Sequence, residues 1–522
     1  MVPDSLTVPA VLARQQRGDH PLLVCDDQRL NYAAAEHHSA RLARGLLALG
    51  AGKGTHIGLL YPNGADFVIG ALAAARIGAV VVPFSTFSTT AELTTQLVSS
   101  DVTVLLSART YRSHDYVQRI AEAVSGCEVD SREPFFSNAA PALRHVVCDT
   151  DRLAALGDTI DESFLAAVES DVGAGDPLAI IYTSGSTGAP KGAVHTHGAL
   201  LSHQTNLNDI RGLTATDRLF SNSPFFWIGG FAFGLLATLL AGATLICSNA
   251  TDADATLDLI DREQPTMTNG FTAAIAHLTR HPTYADRTFS ARRGNLYPLM
   301  AADVRPADPA LRHNMLGMTE AGSVLLLSGD ETDQPEKRRG SYGRPAPGFE
   351  TKVIDTDTGG EVDIGDTGEL CIRGPYVMQG YYGRTRAECF DADGWFHTGD
   401  LVHTDADGLF YFAARAGSMI KTSGANVTPA EVQRALADIL ADSDATIHVL
   451  GIPDSQRGAV VAAVIGLDDV SQWDEPAVRR ALKDRLSAYK VPKVFAICPR
   501  ADIPLMSSGK VDLPALAKLF DD

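Results

Sequence analysis

Along roughly the first 300 residues the apolar positions switch between two spacings. In "NYAAAEHHSARLARGLLALG" (31–50), Leu42, Leu46 and Leu49 share one face of a 3.6-residue repeat, which predicts a helix. Asn31 is placed as its N-cap and Gly50 as its terminator. "HIGLLYP" follows as a short apolar strand, "ADFVIGALAAARIG" as a second helix and "AVVVPF" as a second strand. "AELTTQLVSSD" and "VTVLLS" repeat the unit. Strands that are apolar on both faces and separated by helices imply parallel sheets covered on both sides.

"IGGFAFGLLATLLAGATLIC" (228–247) carries no charge over a length that could span a bilayer. Gly242, however, stands where a helix C-cap would, and "ATLIC" reads as a strand. That leaves a helix of about 12–14 residues, too short to cross, so a buried core helix is expected and no transmembrane segment. From about residue 340 the texture changes. "TKVIDTDTGGEVDIGDTGELCIRG" and "GLFYFAAR" are short strands with Gly/Asp turns, as in a small antiparallel barrel or sheet. Beyond Arg415, "TIHVLGIP", "AVVAAVIGL", a helix at "DEPAVRRALKDRLSAY" and "KVFAICP" read as a compact α+β domain. The boundary is placed at 415/416.

Lys plus Arg number 44 and Asp plus Glu 63, a formal charge of −19. So acidic a surface repels phosphate backbones, which argues against nucleic-acid partners. An anionic ligand would need a local cationic site. The seven cysteines show no C-x-x-C or metal-ligand spacing, and the N-terminus shows no secretory signal. Both fit a reducing, cytoplasmic setting.

The stretch "LAIIYTSGSTGAPKGAVHTH" (178–197) breaks an apolar run with glycines, hydroxyls and a lysine. Gly185, Gly188 and Gly192 allow φ > 0, and successive N–H groups in such a loop make an anion-binding nest. Thr183, Ser184, Ser186 and Thr187 add hydroxyl donors and Lys191 a charge. The lysine follows Pro190 and precedes Gly192, so this is not a Walker A loop.

The eleven-residue order Y-T-S-G-S-T-G-x-P-K-G resembles the phosphate-binding loop of the adenylate-forming superfamily, in its acyl-CoA synthetase branch. "LGMTEAG" (316–322), "GELCIRGPYVMQGYYG" (368–383), "DGWFHTGDL" (393–401), "ARAGSMIKTSGANVTPAEV" (414–432) and "PLMSSGK" (504–510) match its further blocks in order. The resemblance implies an α/β fold: a large N-terminal AMP- and acyl-binding domain (1–415) of two helix-covered sheets plus a small β-barrel. A smaller mobile α+β C-terminal domain (416–522) would carry the catalytic lysine. It implies a two-step reaction. A small-molecule carboxylic acid attacks ATP to give acyl-adenylate and pyrophosphate, and coenzyme A then takes the acyl group.

By the same resemblance, Thr183, Ser184, Gly185, Ser186, Thr187, Gly188 and Lys191 would cradle the phosphates. Glu320, with Thr183, would hold Mg²⁺, and Thr319 would contact the α-phosphate. Leu316 would cover adenine, Asp400 would bind the ribose with Arg415 donating nearby, and Lys510 would bridge carboxylate and α-phosphate. Trp227, Gly229, Gly230, Phe271 and Gly317 would shape the acyl pocket. Lys421, Ser423 and Gly424 would meet CoA after the C-terminal domain rotates about Gly417. His397 and Trp395 read as packing. Leu316 stands where the family usually stacks an aromatic ring, Trp227 where it has histidine, and Gly417 where the hinge is usually acidic or lysine. The run "SPFFWIGGFAFG" offers no aspartate to pair with an ammonium, which would be buried unpaired among the expected pocket rings Phe225, Phe226 and Phe231, so a hydrophobic acid is favoured over an amino acid. Two alternatives stand beside this reading: a ligase passing the acyl group to an amine or carrier protein, and a non-catalytic nucleotide binder. The oligomeric state, including a homo-oligomer, is left open.

Overall fold

In a computed structural model, residues 6–15, 17–183, 191–415, 420–422, 425–427, 429–441, 443–454, 458–486, 490–506 and 510–520 are described. The chain forms two compact units, Met1–Glu350 with Ile372–Phe396 and Thr351–Cys371 with His397–Asp522.

The first unit holds two large sheets. In one, the strands His56–Leu60, Val80–Pro83, Val104–Ser107 and His145–Val147 are parallel neighbours, and Val80–Pro83 adjoins Pro177–Thr183. The direction then reverses. Lys191–Thr196 runs antiparallel to Pro177–Thr183, and the short strand Gly380–Tyr381 is added antiparallel at the edge. The other sheet orders Arg293–Gly294, Met267–Asn269, Arg218–Ser221, Thr244–Cys247, Pro21–Cys25 and Gln28–Asn31, parallel except for the last pair. Val80–Pro83 and Thr244–Cys247 are buried at every position, as strands covered on both faces require.

The expected helix forms over Tyr32–Ala48. Asn31 Oδ1 accepts from Ala34 N at 2.7 Å, and Gly50 ends it at φ 83°. Its buried face meets the helix Ala65–Arg76 around a buried cation. The Arg76 guanidinium bonds Glu36 Oε1 at 2.8 Å, Ser39 Oγ at 2.9 Å and the Glu169 carboxylate. Such a charge is tolerated in the interior because each of its faces is paired.

The uncharged stretch also resolves as a short helix and a strand. Gly229–Leu236 winds as a π-helix, Ala237–Ala241 continues as α-helix, Gly242 caps it at φ 71°, and Thr244–Cys247 is the strand. The π winding was not foreseen; such segments recur at functional sites. Among the described residues no helix is long and apolar enough to cross a membrane.

Most of the strands Gly368–Arg373, Phe396–Thr404 and Phe410–Arg415, the last two antiparallel, belong to the second unit, in a four-stranded sheet with Glu350–Ile354. A five-stranded sheet is built on the long pair Thr446–Asp454 and Gly458–Leu467, with Val494–Pro499 parallel to the latter. One helix is shorter than its sequence suggests. It spans Glu475–Lys483 and does not continue through 484–486; 487–489, also expected in it, lie outside the described residues. Arg479 reaches forward to the carbonyls of Pro492 and Lys493 at 2.6 and 2.8 Å, drawing the following chain back across the helix.

Candidate active site

The two ends of the glycine-rich loop are held side by side. Lys191 is the cross-strand partner of Thr183, and Thr183 Oγ1 donates to the Lys191 carbonyl at 3.5 Å. Ser184, Gly185, Ser186, Thr187 and Gly188 lie outside the described residues. Beside Lys191 the edge strand delivers Tyr381. The Lys191 ammonium lies 5.2 Å from the centre of the Tyr381 ring, and the Tyr381 hydroxyl donates to Glu320 Oε1 at 2.6 Å. A cation and a carboxylate therefore converge on one phenol. Burial, and then the neighbouring Glu320 charge, push the Tyr381 hydroxyl well above the usual tyrosine range, so it remains a donor.

Glu320 sits in the turn Thr319–Ala321, closed by Gly322 at φ 69°. Its backbone carbonyl accepts from Met378 N at 2.8 Å, which ties the turn to the segment carrying Tyr381. Thr319 is fixed from behind: its carbonyl is 2.7 Å from Nε2 of the fully buried His195. Burial lowers the His195 imidazole to about 4, so it is neutral and donates through Nε2. Leu316 is half-buried at the start of the strand Leu316–Met318, and Gly317 beside it is exposed. A Cβ on Gly317 would stand 2.8 Å from the Ser323 carbonyl oxygen. Tyr381→Phe is expected to raise the KM for Mg·ATP about tenfold, the loss of one hydrogen bond to a charged group. Pyrophosphate exchange measures it, and an unchanged KM would show that Glu320 is oriented without the phenol.

Trp227 precedes the π-helix and is half-buried. Its ring makes edge contacts with Phe226, Phe87 and Phe271 at centroid distances of 5.6, 6.2 and 5.7 Å. Phe225 and Phe231, expected to share this environment, instead pack on Phe67 in the core. Phe271 is half exposed, yet its backbone is clamped. Asn222 exchanges two hydrogen bonds with it, at 2.8 and 2.9 Å, and Asn295 exchanges two with Gly270, at 3.0 and 2.8 Å.

The two pocket glycines differ. A Cβ on Gly230 would meet the Pro224 carbonyl oxygen at 2.1 Å, whereas one on Gly229 would meet only Ser223 Oγ at 3.8 Å. Gly230→Ala is expected to cost about 3 kcal/mol of stability, because backbone must move. Gly229→Ala should fold normally and alter KM for the acid. Parallel thermal melts check the pair, and equal melts would refute the distinction.

In the second unit, Asp400 and Arg415 are cross-strand partners. Arg415 Nε donates to Asp400 Oδ1 at 2.8 Å and its Nη1 to the Thr398 carbonyl at 3.0 Å, with the Asp400 side chain only 4% exposed. Lys421 lies in the strand Ile420–Thr422, and Lys510 is exposed next to a backbone hairpin. Gly417, Ser423 and Gly424 lie outside the described residues. Sequence reasoning did not single out Tyr381, His195, Asn222 or Asn295. Tyr381 lay within a block already quoted, and His195 within "HTH", beside the loop.

Residues 11–382 match the family model described as AMP-binding enzyme. The chain is 32% identical over 492 residues to feruloyl-CoA synthase of an Amycolatopsis species, covering 92% of each. It is 30% identical to 4-coumarate–CoA ligase 3 of Arabidopsis thaliana, covering 94% of this chain and 87% of that one. The crystal structure of ATP-bound MatB from Rhodopseudomonas palustris superposes with a TM-score of 0.81 at 25% identity, covering 99% of both chains. The chain belongs to the AMP-binding enzyme family and is an acid–thiol ligase of the acyl-CoA synthetase branch.

Proposed function

We propose that the protein activates a hydrophobic carboxylic acid with ATP and passes the acyl group to coenzyme A in the cytoplasm. The observation that carries this reading is the convergence of Lys191 and Glu320 on Tyr381 at the ends of the glycine-rich loop. A cation there suits the leaving pyrophosphate. The carboxylate suits a hard divalent cation: Oε1 accepts the Tyr381 hydrogen bond, and Oε2 has no protein hydrogen bond among the described residues. Glu320, with Thr183, would hold Mg²⁺, which supplies charge neutralisation on the triphosphate. Thr319 contacts the α-phosphate and Lys191 the outer phosphates. A carboxylate oxygen of the acid bonds to the α-phosphorus as the bond to pyrophosphate breaks. No proton moves, so positioning and charge stabilisation carry the step.

Asp400 and Arg415 bind the ribose, Leu316 covers the base, and Lys510 offsets charge at the α-phosphate. Lys421, Ser423 and Gly424 serve the thiol step, with residues 1–415 and 416–522 as working domains hinged at Gly417. The acid is held among Trp227, Gly229, Gly230, Phe271 and Gly317. The ring cluster of Phe87, Phe226, Trp227 and Phe271 favours an acid with an aromatic or extended apolar body, because ring edges and faces reward such contact. The relatives named for feruloyl and 4-coumarate substrates point the same way.

The test is ATP–pyrophosphate exchange over a panel of fatty, aromatic and amino acids, with CoA, amines and a carrier protein added afterwards. Exchange with apolar acids and a CoA thioester product are expected. Exchange only with amino acids, or product only with an amine or carrier, would overturn it.

A further inference from the structure

Adenylation uses none of a second cluster of side chains that can bind a metal. In the second unit the strand Gly368–Arg373 sets Glu369 and Cys371 two residues apart, on one face. The neighbouring strand Phe396–Thr404 sets His397 opposite them. His397 Nδ1 lies 3.0 Å from Glu369 Oε2 and 3.6 Å from Cys371 Sγ, and the three ligand atoms are all within 4.8 Å of one another.

The two separations from His397 match a particular ion. Tetrahedral Zn²⁺, about 2.3 Å from sulfur and about 2.0–2.1 Å from nitrogen and oxygen, holds S and N about 3.6 Å apart and N and O about 3.3 Å apart. The His–Cys spacing already fits, and the His–Glu spacing must open by only a few tenths of an ångström. We propose that Glu369, Cys371 and His397 form a zinc site with an open fourth position.

The chemistry of the set supports a borderline-soft ion over Mg²⁺, since a thiolate is a poor ligand for a hard cation. On loading, the Cys371 thiol proton leaves to solvent. His397 binds through unprotonated Nδ1, keeping its proton on Nε2, and two anionic ligands balance the ion's charge. An outer shell is in place: Gly399 N donates to Glu369 Oε1 at 2.9 Å, and Thr398 Oγ1 to the Leu370 carbonyl at 2.7 Å. Cys371 is buried, but the His397 side chain is 42% exposed and gives the ion an entry path. Occupancy would stiffen the segment that leads into Asp400.

The test uses the full chain, stripped with a chelator and titrated with Co²⁺ and with Zn²⁺ against a chromophoric competitor. One equivalent should bind, and the Co²⁺ form should show a thiolate-to-metal charge-transfer band in the near ultraviolet. Cys371→Ser should abolish the band, while Cys498→Ser, a control at a partly exposed cysteine, should keep it. His397→Ala should weaken Zn²⁺ binding about 100-fold or more. This variant alters an exposed side chain and carries the test even if the Cys371 variant fails to fold. Absence of stoichiometric binding, a band that survives Cys371→Ser, or wild-type affinity in His397→Ala would each overturn the assignment.

Discussion

Replacing Lys510 with alanine is expected to slow acyl-adenylate formation by a factor on the order of 10²–10³, the effect of removing one preorganised charge donor. The fold should not register the change. Lys510 is exposed, and its backbone is tied down: Met506 N donates to the Lys510 carbonyl at 2.7 Å, and Leu505 bridges Val511. Asp512 then caps the helix Leu513–Ala517 through Ala515 N at 3.0 Å. On the proposed reading, what is lost is an ammonium that would meet the charge building as carboxylate and α-phosphate approach. The thiol step forms and breaks no bond at phosphorus, so acyl-adenylate supplied directly should become thioester at the normal rate. Pyrophosphate exchange and single-turnover thioester formation measure the two halves separately. Near-normal exchange would remove Lys510 from the mechanism, and equal losses in both halves would point to damaged structure.

A second large effect concerns acid. His195, His197 and His203 are each fully buried, and burial lowers all three imidazoles to about 4. Each uses one ring nitrogen, on the Thr319 carbonyl, the Val8 amide and the Val324 carbonyl, and buries the other without a partner. Protonation would orphan a charged N–H in the core. The unfolded chain takes these protons near pH 6.5, the folded chain only near 4. The neutral histidines' contribution is therefore complete above about pH 6.5 and is lost as pH falls toward 4. Between pH 6.5 and 5, where most carboxylates are silent, stability should drop by roughly 5 kcal/mol, or about 1.6 per histidine. Smaller downward shifts at His20, His145, His313, His403 and His448 add in the same direction. Urea midpoints across that range test it, and His195→Gln should flatten the slope by one proton. A midpoint flat from pH 6.5 to 5 would refute it.

Much of this architecture could be read before any coordinates. Asn31, Gly50 and Gly242 act locally, through caps and left-handed turns, and their positions were legible for that reason. The alternation of strands and helices was legible because burial on both strand faces leaves a compositional trace. Tyr381 was not, because its role depends on an edge strand pairing with Lys191–Thr196, about 190 residues earlier. Nothing local distinguishes a tyrosine that will face a lysine and a glutamate from one that packs. Phe225 and Phe231 show the converse. They read as pocket rings, yet the turn and π winding around Trp227 send them into the core while Phe226 stays at the site. The stop after Lys483 was hidden too, since Arg479 ends the helix through carbonyls contributed by a later segment.

The asparagine pair around Gly270 and Phe271 separates the main chain at this position from the side chain it displays. Four hydrogen bonds with asparagine side chains fix the backbone, and none of them involves the phenyl ring. Position 271 thus behaves as an interchangeable fitting on a rigid mount. On the proposed reading of the acyl pocket, selection or engineering could swap the ring for another group and retune which acids are accepted, without disturbing the backbone that holds it.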